Sequence, residues 1–204
     1  MKHLFFWLIL LASLFTQKIV AQDIVWTTPG NDLSYLKDAG DVKIEFKYEL
    51  DSVNGKKEAE FILEQKNYRN MKNEGLGNKW EKEWHSNRSF LFNPSFTQNF
   101  NKYLKGKLTV KENIAVINYK VVITVKAINT GKDNKISTLF YQVPAGGNFL
   151  VSIVDGSDKV LASFQMNGLR VSISPRNDDN FFPWINEAFA KAGRIAAQEL
   201  LSKM

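Results

Sequence analysis

The sequence predicts an α+β domain of two layers, in which helices pack on one face of a single mixed β-sheet. Three observations support this fold class. Apolar and charged residues alternate strictly from Val42 to Leu50, as in a strand with one buried and one solvated face. Segments with helical spacing of apolar residues follow, and residues 149–166 have the pattern of a β-hairpin. We therefore expect one sheet and one layer of helices around a single core.

Residues 1–21 have the order of a secretory signal peptide. Lys2 provides a positive start, an apolar run covers Leu4 to Phe15, and Ala21 precedes the expected cleavage site. The run is shorter than the roughly 20 residues of a membrane-spanning helix, so cleavage is favoured over an uncleaved anchor. We expect a periplasmic or extracellular protein whose residues 22–204 form one domain. The sequence contains no cysteine, which excludes both a lipidated cysteine after the signal and disulfides.

The charge of the chain argues against a nucleic-acid partner. The formal net charge is +6, and removal of Lys2 and Lys18 with the signal peptide lowers it to 6 − 2 = +4. Lysines and glutamates are interspersed along the remaining chain, whereas nucleic-acid-binding proteins usually collect basic residues on one face. We therefore expect a protein partner or an envelope surface component instead.

Three helical segments are predicted after the first strand. Strong helix formers gather over residues 56–73. Trp80 and Trp84 are four residues apart, which places them on the same face of a second helix. Asn93 and Pro94 are typical of the beginning of a third helix, with asparagine as the cap and proline in the first turn. These helices should form a right-handed crossover between two parallel strands.

The second half of the chain predicts further strands and a last helix. Side chains alternate again over residues 119–128, and the later hairpin turns at residues 155–158. Its second strand should continue past a bulge at Asn167–Gly168, where a glycine relaxes the backbone. The last helix is predicted to begin at residues 179–180, with Pro183 in its first turn. The later strands should be antiparallel neighbours.

Two connections leave structural questions open. Residues 22–40 form an entry segment, in which Trp26 is expected to occupy a groove on the domain. Residues 129–147 form a connection of 19 residues that contains Phe140 and Tyr141. A long connection with its own apolar residues is either a functional loop or a short additional strand. The sequence favours neither alternative.

The residue content argues against the common catalytic chemistries. His85 is the one histidine after the signal peptide, so both a zinc site and a Ser-His-Asp triad would depend on it. The acid pairs Asp155 with Asp158 and Asp178 with Asp179 are typical of turns and helix caps. The sequence contains no Gly-x-Ser-x-Gly motif. We therefore expect no catalytic residue, no metal and no cofactor.

Two binding surfaces are candidates. The leading hypothesis is a non-enzymatic module that binds a protein or surface component through the charged sheet face and the long connection. Its candidate contact residues are Lys43, Lys47, Lys120, Lys126, Phe140 and Tyr141. The alternative is that these lysines lie on an ordinary solvent-exposed face of the sheet and bind no partner. The second hypothesis is a small-ligand or glycan site formed by Trp80, Trp84 and His85, for which core packing of the tryptophans is the favoured alternative.

Short motifs spread over the chain carry a family resemblance. They are Leu33–Lys37 before Val42–Tyr48, Trp80–Trp84 followed by Arg88, Asn93–Phe96 with Phe100–Tyr103, and Glu187–Gly193. Together they resemble an uncharacterised family of small secreted or periplasmic proteins of Bacteroidota. The resemblance implies an exported protein with no established activity, and it transfers no catalytic residue. The chain departs from the family pattern at residues 129–147.

Overall fold

The computed structural model describes residues 23–28, 32–114, 118–131, 144–172 and 180–204. These residues form an α+β fold with one mixed sheet and helices on one face of it, as the sequence predicts. The strands are β1 (Asp23–Thr28), β2 (Asp41–Val53), β3 (Thr109–Lys111), β4 (Tyr119–Thr130), β5 (Ala145–Asp155) and β6 (Val160–Val171). The α-helices are α1 (Glu58–Lys72), α2 (Leu76–Asn87), α3 (Asn93–Leu104) and α4 (Phe182–Leu201). A 3₁₀ helix, Ser34–Asp38, precedes β2, and a π-helix, Arg88–Phe92, joins α2 to α3.

The strand order in the sheet is β1-β6-β5-β4-β2-β3. Strands β2 and β4 are parallel neighbours, and helices α1 to α3 lie between them in the chain. This confirms the predicted crossover between parallel strands. Strands β4, β5 and β6 are antiparallel neighbours in turn, which confirms the prediction for the later strands. Strand β1 pairs antiparallel with β6, and β3 pairs parallel with β2.

The core lies between the sheet and the helices. Four adjacent strands each contribute an inward side chain that is at most 1% exposed. These side chains are Ile44, Ile123, Val151 and Phe164. Helix α4 covers this surface, and its small residues Ala188, Ala192 and Ala196 are fully buried. Small side chains let a helix axis approach a sheet closely, as the sequence predicts.

In the structure the hairpin extends beyond the predicted residues 149–166, because its strands are Ala145–Asp155 and Val160–Val171. Its turn and its bulge lie where the sequence predicts them. Asp155 Oδ1 accepts hydrogen bonds from the backbone N–H groups of Ser157 at 2.8 Å and Lys159 at 3.1 Å. The hydrogen bonds from the Ser157 hydroxyl and backbone lower the pKa of Asp155. At the bulge, Gly168 has φ of +61° and its N–H donates to Asn148 Oδ1 at 2.9 Å. Glycine adopts this backbone conformation without the steric cost that other residues carry.

The entry segment differs from the prediction because residues 23–28 pair with β6 as an edge strand. Trp26 lies on the Phe164 ring, with 4.9 Å between the ring centroids. Its indole Nε1–H donates to Glu199 Oε1 at 2.7 Å. The partner strand lies more than a hundred residues away in the chain, so no local sequence pattern predicts this pairing. The short edge strand β3 was missed in the same way, since three residues show no periodicity.

Several predictions concern residues outside the described ranges. The signal peptide, residues 1–21, is among them, so export and cleavage stay predictions. Phe140 and Tyr141 also lie outside, and the choice between a loop and an extra strand stays open. Among the helices that are described, none is both long and apolar enough to span a membrane.

Candidate functional site

A cavity of about 330 Å³ opens between α1, α2 and the beginning of α4. Leu76, Trp80 and Phe182 form its apolar wall. Polar and charged side chains complete the lining, namely Arg69, Lys72, Lys79, Glu83 and Asn180. Small-molecule sites in proteins have volumes of about 300–1,000 Å³ and combine apolar walls with a few polar groups. The cavity has the composition of such a site and lies at the lower end of the size range.

The two helices that provide most of the cavity lining, α1 and α2, form a tight helical hairpin. Gly75, with φ of +85°, reverses the chain between the helices. Gly77 lies so close to α1 that a Cβ atom there would be 2.3 Å from the carbonyl oxygen of Lys66. Asn70 Oδ1 accepts the Gly77 backbone N–H at 2.8 Å, and Lys66 pairs with Glu81 at 2.7 Å. These contacts hold the two helices close together beside the cavity.

The wall of the cavity is a packed aromatic layer. The rings of Trp80 and Phe182 are nearly parallel, with 10° between their planes and 6.3 Å between centroids. The Arg69 guanidinium lies 4.8 Å from the centroid of the Trp80 ring. Arg69 also donates to Gln65 Oε1 at 2.5 Å, and both side chains are buried. A cation is thus held over an indole face, an arrangement that the ring quadrupole stabilises.

The structure separates His85 from the two tryptophans of the predicted aromatic site, which stack on each other with 5.7 Å between ring centroids. Trp80 lines the cavity, although only 5% of its surface is exposed. Trp84 is 1% exposed, and its indole N–H donates to Glu58 Oε1 at 2.7 Å. His85 is exposed and does not line the cavity. Consecutive helical residues point about 100° apart, so His85 cannot share the face of Trp84. A role of Trp80 in ligand binding stays a prediction.

A polar network supports the aromatic layer from behind. Glu58 accepts the Trp84 indole N–H and pairs with Arg88, the first residue of the π-helix. The Arg88 guanidinium lies 4.5 Å from the centroid of the Tyr48 ring, and the Tyr48 hydroxyl donates to Asn93 Oδ1 at 2.8 Å. Burial raises the pKa of Tyr48, so its hydroxyl stays protonated and remains a donor at neutral pH. The network connects β2 to α1, α2 and α3.

On the other face of the sheet, most of the predicted contact lysines are in ion pairs. The pairs are Lys43 with Glu45 at 2.6 Å, Lys120 with Asp158 at 2.5 Å and Glu45 at 3.7 Å, and Lys126 with Glu49 at 2.8 Å. The hydrogen bond from Lys120 lowers the pKa of Asp158, and that from Lys43 lowers the pKa of Glu45. Exposed pairs of this kind contribute at most about 1 kcal/mol each to stability. They reduce the charge that these lysines offer to a partner.

Lys47 differs from the other three lysines of this face. Its side chain is exposed, and within the part of the chain that the structure describes it forms no ion pair. It lies opposite Thr124 on β4, and Thr124 lies opposite Leu150 on β5. The register continues from Leu150 to Gln165 on β6 and from there to Val25 on β1. One row of side chains therefore crosses five strands with a cation at one end.

Sequence reasoning missed the charged part of the cavity. Arg69 and Lys72 lie within the predicted helix over residues 56–73, where single cations are ordinary. Phe182 comes from the other end of the chain. Only Trp80 carried a recognisable signal. Across the described ranges, no three His, Asp or Glu side chains come close enough together to hold a metal ion.

Comparison with known proteins gives only distant structural similarity. No protein-family model matches the chain, and no curated protein matches it. A Xanthomonas campestris protein of family DUF330 aligns over 55% of this chain and 60% of its own length, with 16% identity and a TM-score of 0.37. A Helicobacter pylori protein designated a neuraminyllactose-binding hemagglutinin homologue aligns over 86% and 90%, with 16% identity and a TM-score of 0.40. PelC from Paraburkholderia phytofirmans, solved as a dodecamer, aligns over 84% and 96%, with 8% identity and a TM-score of 0.37. These values do not place the chain in any of the three families, and the resemblance to the Bacteroidota family stays a prediction.

Proposed function

We propose that the chain is an exported, non-enzymatic binding protein of the cell envelope that holds a small ligand in the cavity between α1 and α2. The observation that carries this proposal is the cavity itself, a concave site with an aromatic wall and charged groups at its rim. Export rests on the signal-peptide pattern of residues 1–21.

The aromatic wall is ordered before any ligand arrives. Trp80 stacks on Phe182 and on Trp84, and Arg69 is held between Gln65 and the Trp80 ring. A ligand that binds there loses translational and rotational entropy, but binding carries no additional entropic cost for ordering the side chains of the wall. This favours binding of small molecules despite the modest volume of the cavity.

Binding rather than catalysis fits the chemistry of the lining. Among the described lining residues, the titratable groups are the cations Arg69, Lys72 and Lys79 and the carboxylate of Glu83. General acid–base catalysis on a glycoside needs two facing carboxylates, and this lining supplies one. An apolar wall with a few polar and charged groups beside it can hold and orient a ligand without reacting with it.

A tryptophan at position 76 is expected to fill the cavity and abolish ligand retention. Leu76 lines the cavity and is 41% exposed, so Leu76→Trp adds bulk without disturbing the core. The chain from Gln22 onward is equilibrated by dialysis with small molecules extracted from the cell envelope. Compounds enriched on the protein side are then identified by mass spectrometry. We expect enrichment by the wild type and at least about a tenfold loss in Leu76→Trp, because a filled site excludes the ligand.

The matched control is Leu63→Trp. Leu63 is 58% exposed on α1 and does not line the cavity, so this variant carries the same substitution outside the site. It should enrich the same compounds as the wild type. Equal enrichment by all three proteins, or none by the wild type, would contradict a ligand site in this cavity.

A second candidate function is binding of an acidic protein partner to the open sheet face. Lys43, Lys120 and Lys126 pair with Glu45, Glu49 and Asp158, whereas Lys47 forms no ion pair among the described residues. The unpaired charge lies on Lys47, at the end of the row that crosses the sheet. A carboxylate of a partner could pair with it directly.

Reversal of the Lys47 charge is expected to weaken such binding. The wild type, Lys47→Glu and Lys107→Glu are immobilised, and envelope proteins that each retains are quantified by mass spectrometry. Lys107 is exposed and lies outside this face, so its variant has the same net charge as Lys47→Glu. A partner retained by the wild type and Lys107→Glu but reduced about fivefold by Lys47→Glu would support the hypothesis, since one exposed pair is worth up to about 1 kcal/mol. A partner retained equally by both variants would remove Lys47 from the interface.

A further inference from the structure

We propose that a second cavity, bordered by α3, α4 and the end of β6, binds a short zwitterionic peptide through its free ammonium and carboxylate groups. The cavity has a volume of about 210 Å³, and its lining combines the carboxylate of Glu187 with the cations Lys191 and Arg194. It shares no described lining residue with the α1–α2 cavity, so this inference does not depend on the function proposed above. Charge, surface chemistry and volume each support it.

Glu187 supplies a carboxylate that no described residue neutralises. Lys191 lies one helical turn further along α4, at the spacing where a glutamate and a lysine usually pair. Lys191 Nζ donates instead to the carbonyl oxygen of Arg170 at 2.5 Å. Glu187 is exposed and forms no ion pair within the described ranges. Its negative charge is therefore available to the ammonium group of a ligand.

Arg194 supplies the opposite charge two helical turns away. Its guanidinium lies 5.9 Å from the centroid of the Tyr103 ring, and it forms no ion pair with any residue that the structure describes. Helical residues seven apart lie on the same side of the helix and about 10.5 Å apart along its axis. Glu187 and Arg194 therefore border one cavity without neutralising each other. A guanidinium binds a carboxylate through two parallel hydrogen bonds, which suits the carboxyl end of a peptide.

The rest of the described lining is neutral and can accommodate a peptide backbone. Tyr103, Ala190 and Val171 contribute apolar surface. Asn99 Nδ2 donates to the carbonyl oxygen of Ser95 at 2.9 Å, whereas Asn99 Oδ1 accepts no hydrogen bond from a described residue. An amide oxygen accepts hydrogen bonds from N–H groups, so Asn99 can receive the N–H of a peptide bond. The ligand can thus be held at its middle as well as at its two charged ends.

The volume and the spacing of the charges limit the ligand to about two residues. Each water molecule occupies about 30 Å³ of the liquid, so a cavity of about 210 Å³ equals about seven waters. An extended chain spans at most about 3.6 Å per residue, so a dipeptide reaches about 7 Å. The long side chains of Glu187 and Arg194 cover the remaining distance. The proposed ligand is therefore a dipeptide with small side chains.

The test follows the backbone amide resonance of Ala190 in ¹⁵N-labelled protein from Gln22 onward, at pH 6.5. Three probes are titrated, namely alanyl-alanine, N-acetyl-alanyl-alanine, which lacks the ammonium, and alanyl-alanine amide, which lacks the carboxylate. We expect alanyl-alanine to bind about fivefold more tightly than either blocked peptide, since one exposed charge pair changes an affinity by up to about fivefold. The protein is basic, so unspecific attraction would instead favour the negatively charged acetylated peptide.

Two variants assign each charge of the ligand to its partner. Glu187→Gln should lower the affinity for alanyl-alanine about fivefold and leave that for the acetylated peptide unchanged, because this probe has no ammonium. Arg194→Gln should lower the affinity for alanyl-alanine by a similar factor and leave that for the amide unchanged. The matched controls Glu60→Gln and Lys107→Gln each remove one exposed charge outside the cavity and should bind like the wild type. Unfolding midpoints confirm that the compared proteins are folded.

Each outcome either supports or overturns the inference. If alanyl-alanine does not shift the Ala190 resonance, this cavity is not a peptide site, while the function proposed for the α1–α2 cavity is unaffected. If the three probes bind equally well, the zwitterionic class is wrong. If Glu187→Gln or Arg194→Gln binds alanyl-alanine as tightly as its control does, that residue does not recognise the ligand and the assignment of the two ends is wrong.

Discussion

Replacement of Phe189 by alanine is expected to lower the free energy of unfolding by about 3–5 kcal/mol, the range for loss of a buried phenylalanine. Phe189 is 1% exposed on α4 and joins both layers of the fold. Its ring lies 5.1 Å from Phe149 on β5, 5.2 Å from Phe92 in the π-helix and 6.3 Å from Tyr48 on β2, measured between centroids. The variant would leave a cavity among backbone elements that cannot all move inward. Urea unfolding of the chain from Gln22 onward, monitored by circular dichroism, measures the change.

The control for this prediction is Phe90→Ala. Phe90 belongs to the same residue type and is 79% exposed in the π-helix, so its removal should change the free energy of unfolding by less than about 0.5 kcal/mol. If Phe189→Ala loses no more stability than Phe90→Ala, α4 does not pack on the sheet as described. A large loss in Phe90→Ala would instead indicate that the exposed ring is covered by another part of the protein.

Gly193→Ala is expected to destabilise the protein by about 1–3 kcal/mol, although the same change on an exposed helix surface stabilises by up to about 1 kcal/mol. A Cβ atom at position 193 would lie 2.2 Å from the carbonyl oxygen of Phe96 and 3.1 Å from its Cα atom. Both atoms belong to the backbone of α3, so no side-chain rotation relieves the clash. The helices would have to separate, and the contacts of α3 with α4 would weaken. The same unfolding experiment measures the loss.

Gln198→Ala provides the matched control on the same helix. Gln198 is exposed, and alanine there should be neutral or slightly stabilising because of its helix propensity. Both variants introduce an alanine into α4, so the comparison separates the effect of helix propensity from the effect of close packing against α3. Wild-type stability in Gly193→Ala would show that the two helices are farther apart than the structure indicates.

Much of the secondary structure follows from local sequence patterns. Alternating apolar and polar residue types predicted β2 and β4, because successive side chains of a strand point to opposite faces. In β2 burial follows this alternation over much of the strand, whereas residues 121–125 of β4 are all buried. The proline and asparagine that begin α3 lie within a few residues of each other, so their effect on the backbone is also local. Strands β1 and β3 gave no such signal, because short edge strands are defined by their partners rather than by their own periodicity.

Only part of the candidate site could be predicted from the sequence. Trp80 was recognisable because of its spacing from Trp84, but the sequence grouped it with His85. Helical geometry places His85 on a different face, and it places Trp84 against Glu58 in the interior. The four lysines of the sheet face were predicted as a set, but only the tertiary structure shows that three of them pair with carboxylates and that Lys47 forms no ion pair among the described residues.

By itself, the sequence determined the fold class of this protein, the order of its main helices and strands, and the turn and bulge of its hairpin. Each of these depends on interactions between residues that are close in the chain. Only the tertiary structure brought Arg69, Trp80 and Phe182 together around one cavity. These residues come from three helices and span more than a hundred positions. They come together because the α1–α2 hairpin packs against α4. A contact between segments that are distant in the chain does not appear in the hydrophobic periodicity of either segment.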